Sequence, residues 1–393
     1  MADGTDRTGA ELDSWLRLIR APGVGAHTLR ERRERSGGID AAERDMRRGA
    51  AIPQAARDWL SNPDPAVIAT DRAWLDAPCH HLITWFDDDY PALLREMPRP
   101  PVALFVRGDP GALWQPQIAI VGSRNPSAGG RDNADAFAAA LAREGLVVTS
   151  GLASGVDASA HHGALRSGRQ TVAVVGAGPD VAYPPANAGL AERIAAQGAV
   201  VSEFPPGTAP RPQHFPQRNR IIAGLGLGTL VIEAALRSGS LITARLASEA
   251  GREVFALPGS IHNPMARGCH RLIRDGAKLI ETAAEIVEEL RPLALKLGER
   301  LRATLGRQAD QDTTADARRQ AQGIGDGPQR LADPDYRKLW DALDHDPVPV
   351  DLLAARSGLT APAISSMLML MELDGLITVG ANGRYGRAGR KSE

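Results

Sequence analysis

The feature that most constrains this chain is a series of six short apolar segments, each ending in a turn and separated from the next by a helical stretch. The segments are Ile118–Val121, Leu146–Thr149, Thr171–Val175, Ala199–Ser202, Thr229–Ile232 and Glu253–Leu257. Helical patterns lie between them at Arg131–Arg143, Val156–Ser167, Ala188–Ala196, Arg218–Leu225 and Leu241–Ala250. Strands that are apolar throughout are buried on both faces, and strands alternating with helices close into a mostly parallel sheet covered on both sides. Ligands of such sheets sit beyond the carboxyl ends of the strands. Those ends carry Gly122-Ser123-Arg124, the run Ser150–Asp157, Gly176-Ala177-Gly178, Glu203-Phe204-Pro205, Glu233 with Ser238–Ser240, and Pro258-Gly259-Ser260. Tight-turn geometry accounts for any one such turn. Six on one edge form a rim that a phosphate can approach closely.

Within this frame, Phe215–Ser240 concentrates the charge and the turns. The sequence predicts a basic helix start (Arg218, Asn219, Arg220), a strand, and a Ser-Gly-Ser turn opening the next helix. A helix N-terminus presents free N–H groups and a positive dipole end to an anion. The net charge of the chain is −1, yet residues 205–274 hold nine arginines against Glu233, Glu249 and Glu253, a local excess of six. Clustered positive charge, not the whole-chain sum, is what marks a polyanion partner. A solvated arginine-rich surface would give the same count, since Arg outnumbers Lys throughout.

Several function classes are disfavoured. No G-x-G-x-x-G with a following ribose-binding acid is present, and no Walker A motif; Gly176-Ala177-Gly178 reads as a turn. The two cysteines, Cys79 and Cys269, cannot form a disulfide framework, and no Cys/His spacing suits zinc. No signal-peptide core or membrane-length apolar run is found. No metal, no cofactor and a reducing cytoplasm are therefore expected.

The flanks differ from this centre. Leu12, Trp15, Leu16 and Ile19 recur at helical spacing, then Pro22-Gly23-Val24-Gly25 leads into a second helix over Ala26–Arg35. That pattern suits a helix-hairpin-helix (SAM-like) unit, whose glycine turn can meet a phosphate, or equally a plain helical corner. Further helices are expected at Pro53–Leu60 and Pro65–Asp76, giving an N-terminal helical domain over 11–77. His81–Trp85 and Pro101–Val106 read as strands added to the edge of the main sheet, around a helix at Tyr90–Glu96. The sheet domain then spans 78–291. Residues 292–332 are polar and read as a linker. Residues 333–388 read as a winged-helix-like domain, three helices and a small hairpin. Its third helix, Ala361–Leu373, has almost no Arg or Lys and carries Met367–Met371, which favours core or a protein partner over DNA.

GSR at 122–124, SGLASGVD at 150–157 with His161, YPPAN at 183–187, SEFPPGT at 202–208, FPQRNRIIAGL at 215–225 and the run 233–260 together closely resemble the DNA-processing protein A family (DprA, also called Smf). The likeness spans about residues 80–290. It implies an extended Rossmann-like fold and a homodimer that binds single-stranded DNA, shields it from nucleases and loads the RecA recombinase during natural transformation, without catalysis. Carried onto this chain, it makes Arg124 a phosphate-binding arginine. Gly122, Ser123, Ser150, Gly151, Gly155, Arg218, Asn219, Arg220, Ser238, Gly239, Ser240 and Arg267 complete the expected DNA site. Some relatives have a DNA-contacting lysine near the YP-x-x-N loop; here Pro185 and Ala186 fill the variable positions.

How bases would be held is less legible. Phe204, His214 and Phe215 are the local stacking candidates, with Phe204 and Phe215 read as core. A different class of function is an enzyme like the nucleoside-monophosphate phosphoribohydrolases, which would need Glu233 or Asp157 as a positioned carboxylate. Asp157 reads more simply as a helix N-terminal residue, and Glu233 as a partner of Arg220 or Arg237.

Overall fold

The computed structural model describes residues 7–49, 52–299, 334–343 and 348–387, the last with short gaps at 358, 360–363, 365–366, 369–370, 372–376 and 381–383. The chain divides into two compact units, Met1–Thr304 and Leu305–Glu393.

The first unit begins with five helices: α1 (Gly9–Arg20), α2 (Ala26–Ser36), α3 (Ile39–Arg48), α4 (Gln54–Ser61) and α5 (Pro65–Leu75). Helix α3 escapes the sequence reading because IDAAERDMRR is mostly polar; its burial rests on Ile39, Ala42 and Met46 alone. These helices do not close a core of their own. Trp15, Leu16, Leu29 and Leu60 pack with Leu82, Val102 and Phe105 of the sheet, so the boundary expected at 77/78 runs through one shared core. Arg20 reinforces this attachment, pairing with the buried Asp71 at 2.5 Å and donating to the Pro206 carbonyl at 2.9 Å.

The sheet is built from β1 (His80–Thr84), β2 (Ala103–Gly108), β3 (Gln117–Val121), β4 (Val147–Ser150), β5 (Thr171–Val174), β6 (Ala199–Ser202), β7 (Gly228–Val231), β8 (Glu253–Ala256) and β9 (Lys278–Leu279). Its nine strands run in the order β1-β2-β6-β5-β4-β3-β7-β8-β9. The β1–β2 hairpin joins antiparallel to β6, and the remaining strands are parallel. The six expected strands lie within a residue or so of their predicted bounds, because buried parallel strands leave unbroken apolar runs in the sequence.

Helices cover both faces. The connecting helices are α6 (Ala92–Arg95), α7 (Ala128–Arg143), α8 (Val156–Arg166), α9 (Ala188–Gln197), α10 (His214–Leu225), α11 (Ser240–Glu249), α12 (Arg267–Arg274) and α13 (residues 283–299). One face buries Ile221, Ile222 and Leu225 of α10 with Ala244 and Cys269. The other buries Ala134, Ala138 and Leu141 of α7, Ala160 of α8 and Leu290 of α13. Helix α13 corrects the expected linker: residues 292–299 are helical, and Leu293 and Leu297 pack on the sheet face. The rest of that expected linker lies outside the described residues.

From β3 the chain steps through β4 and β5 to β6, then α10 carries it back across the sheet to β7 on the other side of β3. Strand order therefore reverses between β3 and β7, and a crevice opens at their carboxyl ends.

The second unit contains α14 (Pro334–Ala342), β10 (Val348–Pro349), α15 (Val350–Ser357), β11 (Ile377–Gly380) and β12 (Arg384–Arg387), with sheet order β10-β12-β11. Ile364, Met367, Leu368 and Met371 of the expected third helix are buried in its core with Leu339 and Leu353. The apolar run there is core material, as its composition suggested; Thr360, Met369 and Leu370 lie outside the described residues. Arg387 is committed internally, stacking 4.7 Å from the Trp340 ring and donating to the Trp340 carbonyl. Arg390 and Lys391 lie outside the described residues.

Candidate anion cleft at the β3–β7 switch point

A cleft of about 580 Å³ lies where the strand order reverses, lined by Gly122, Arg124, Asn219, the Ser238–Ser240 turn, Tyr183 and Phe215 among others. Its base is set by close approaches that tolerate no side chain. A Cβ on Gly122 would lie 2.6 Å from Val156 Cγ2 and 2.9 Å from the Glu233 carbonyl. Gly155 adopts φ +81°, and its Cβ would lie 2.6 Å from the Arg124 carbonyl. The two turns are thus knitted together: Ser123 N donates to the Glu233 carbonyl (2.7 Å), and Val156 N donates to the Ser123 carbonyl (3.1 Å). This knot leaves Arg124 on the surface. Its guanidinium lies 5.6 Å from the Phe215 ring centroid and has no hydrogen bond or ion pair among the described residues.

Three consecutive residues of α10 have three different fates, since successive helical side chains diverge by about 100°. Arg218 points into the protein and is 4% exposed. Its Nη1 donates to the carbonyls of Gly151, at 2.6 Å, and of Val174, at the ends of β4 and β5. Burial lowers its pKa to about 10, opposed by the nearby Asp157 carboxylate. The same burial raises the Asp157 pKa, opposed by Arg218. Asn219 reaches toward the Gly239 carbonyl at 3.5 Å. Arg220 leaves the cleft altogether and pairs with Glu203. The three residues also occupy the second turn of α10, which starts at His214, so they are not the helix start expected from the sequence.

The Ser-Gly-Ser turn does open a helix. Gly239 is the N-cap of α11, with no side-chain cap and no acid in the first turn. Ser238 and Ser240 hydroxyls bond each other at 2.7 Å, and Ser240 N reaches the Ser238 hydroxyl only at 3.4 Å. Leu241 N and Ile242 N already donate to the Ser238 and Gly239 carbonyls (3.2 and 3.1 Å), so beside the unpaired Arg124 the turn offers its hydroxyls and the positive dipole end of α11 to a phosphate.

Aromatic side chains form the opposite wall. Tyr183 is 44% exposed, with its ring centroid 5.5 Å from that of Phe215. Phe215 is therefore a wall of the cleft and not core, because α10 begins one turn earlier than predicted and brings it to the rim. Tyr183 escaped sequence reasoning; the only signal for it was the YPPAN motif itself. Phe204 is half-buried and stacks on His214 at 4.0 Å.

Several expected contact residues are placed elsewhere. Ser150 is fully buried and donates to the Ile120 carbonyl at 2.6 Å, tying β4 to β3. Gly151 is buried against the Arg218 guanidinium, which occupies the space a Cβ would need. Ser123 is 9% exposed, its hydroxyl accepting from Asn125 N and lying 3.5 Å from Met265 Sδ. These residues and Gly155 build the floor and do not face the cleft. Arg267 starts α12; it is exposed and outside the cleft lining. The structure thus brings together Gly122, Arg124, Arg218, Asn219, Ser238, Gly239 and Ser240 from the expected set.

The local charge excess also narrows. Of the nine arginines, Arg220, Arg245, Arg252 and Arg271 stand in ion pairs. Arg211, Arg237 and Arg267 are exposed without an ion-pair partner among the described residues. Glu233 is paired with neither Arg220 nor Arg237. Its carboxylate accepts from Ser127 N (2.8 Å), Ser127 Oγ (2.6 Å) and Asn263 Nδ2 (3.0 Å), fastening the start of α7. His161 is likewise structural, buried with Nδ1 2.8 Å from Thr171 Oγ1 and its pKa lowered to about 3 by burial.

Fold and cleft together define a Rossmann-like protein with helical and winged-helix attachments and a candidate anion cleft at its strand switch point. Residues 81–291 match the family described as DNA recombination-mediator protein A, and residues 309–383 match the DprA winged helix domain. The chain belongs to this DprA/Smf family. It is 40% identical over 330 residues to Protein Smf of Escherichia coli K12, covering 84% of this chain and 83% of the relative. The X-ray structure of DNA processing protein A from Streptococcus pneumoniae superposes with a TM-score of 0.63 at 37% identity, covering 72% of this chain and 99% of that one. A structure of DNA processing protein A from Helicobacter pylori, described for its single-stranded DNA binding mode, matches with a TM-score of 0.50 at 28% identity, covering 54% of this chain and 96% of that one.

Proposed function

We propose that this protein binds single-stranded DNA in the β3–β7 cleft and so acts in DNA processing during transformation. The observation that carries the reading is Arg124, exposed without an ion-pair partner among the described residues, beside the positive N-terminal end of α11 and an aromatic wall. A phosphate is held by Arg124, the Asn219 amide and the Ser238–Ser240 turn, while Tyr183 and Phe215 offer faces to a base. Backbone charge and base stacking together give affinity with little sequence preference. Anisotropy titration should therefore show labelled oligo-dT bound more tightly than a duplex of equal length; equal affinity for both would contradict the reading. Protection of the strand, loading of RecA, a homodimer and a cytoplasmic setting belong to the same proposal, drawn from the family resemblance.

Tyr183→Ala is expected to weaken oligo-dT binding by about 1–3 kcal/mol, the scale of one base–aromatic stack. Tyr183→Phe keeps the ring and should retain affinity. Loss of affinity in both variants would place the effect on the hydroxyl and not on stacking.

We take the protein to act without catalysis. Glu233 is 8% exposed and its carboxylate is engaged by Ser127 and Asn263. Glu233→Gln should therefore lower stability by about 1–3 kcal/mol through imperfectly satisfied donors, read as a fall in Tm. Neither form should release free base from nucleoside monophosphates. Base release by the parent protein that is lost in Glu233→Gln would establish the enzyme alternative.

A further inference from the structure

A second groove, of about 910 Å³, adjoins the cleft and is walled by the α1–α2 turn, residues 98–103, and the outer sides of α10 and α11. Pro216 and Ile242 line both spaces, so the two are continuous across the crest formed by α10 and α11. We propose that this groove is the continuation of the single-stranded DNA path, carrying the strand from the β3–β7 cleft onto the N-terminal helices; the inference rests on the cleft reading above.

Its chemistry suits a nucleotide chain. Four arginines line it, Arg30, Arg99, Arg220 and Arg245, against one acid, Glu203, which Arg220 neutralises. Arg99 is exposed and has no ion-pair partner among the described residues. The Arg245 side chain is 69% exposed and pairs at 3.5 Å with Glu249, itself 56% exposed, a contact that water and salt weaken. It lies one turn of α11 beyond Ile242, about 4.5 Å along the helix axis from the shared crest. The floor between these cations is apolar, formed by the part-exposed Phe204 and Pro205 over the buried Leu18 and Val102. Phe204 is partly exposed and stacks on the His214 ring at 4.0 Å. An aromatic and aliphatic floor with basic edges is the pattern of a single-strand track, bases inward and phosphates outward. A protein segment is the other class of occupant, and an apolar floor alone would admit it. The cationic edges and the continuity with the cleft favour the nucleic acid.

The test uses the full chain, with labelled oligo-dT of about 6 and about 20 nucleotides, lengths that bracket a single pocket and an extended track. The Arg99→Glu/Arg245→Glu double variant should lose about tenfold in affinity for the longer strand. Its affinity for the shorter strand should stay within about twofold. Its salt slope on the longer strand should fall by roughly 1–2, since each lost phosphate contact contributes about 0.7. An Arg99→Gln/Arg245→Gln variant with wild-type Tm should show the same length dependence, which separates lost contacts from altered folding. Wild-type affinity for the longer strand, or an equal loss at both lengths, would overturn the groove. In Arg124→Glu both lengths should lose affinity. If that variant binds both normally, the cleft reading itself fails, and with it the groove as its continuation.

Discussion

Arg124→Ala is expected to weaken oligo-dT binding about 10–100-fold while leaving the Tm unchanged. The magnitude follows from losing one charge-assisted contact to a phosphate, about 1.5–3 kcal/mol. The unchanged stability follows from the position: Arg124 is exposed and makes no hydrogen bond or ion pair among the described residues, so its removal leaves no internal group unsatisfied. The salt slope should fall by about 0.7 and the loss should be uniform across strand sequences, because a phosphate contact carries no base information. Arg124→Lys retains the charge without the planar fork and should recover part of the affinity. Wild-type affinity in Arg124→Ala would remove the residue from the site.

The second large effect is on folding. Arg218→Met is expected to destabilise the first unit by about 3 kcal/mol, because the buried carbonyls of Gly151 and Val174 lose their donor and the buried Asp157 loses a nearby positive charge. For a unit of this size the corresponding fall in Tm is roughly 10 °C. Adding Asp157→Asn removes the stranded charge and should recover part of the loss, a coupling that a double-mutant cycle measures. Strict additivity would mean that Arg218 and Asp157 do not sense each other. This prediction separates two arginines that lie in one positive neighbourhood: Arg124 is written into binding, Arg218 into the floor that supports it.

How much of this was legible in the sequence depends on whether the signal was local. The six parallel strands and their helices were, since burial on both faces leaves continuous apolar runs and the intervening helices are amphipathic. Helix α3 was not, because its apolar positions are too few among charged residues. Helix α13 was hidden by the polar tail that follows it. Within the site, Gly122, Arg124 and the Ser238–Ser240 turn could be placed because a strand end fixes where its turn lies. Ser150 could not be separated from them, because whether a serine at a strand end faces out or bonds the neighbouring strand is a matter of pleat and register. Arg218, Asn219 and Arg220 read as one basic patch in one dimension, and helix rotation scatters them in three. Tyr183 and Phe215 are far apart in sequence, with no periodicity to link them, and meet only when α10 crosses the sheet from β6 to β7.

The central claim is that a single strand lies in the β3–β7 cleft against an aromatic wall. Photocrosslinking of oligo-dT carrying 5-iododeoxyuridine, followed by peptide mapping, tests it most directly. The account predicts crosslinks at Tyr183 and Phe215 that are lost in Arg124→Glu; crosslinks confined to the second unit, Leu305–Glu393, and unaffected by that substitution would contradict it.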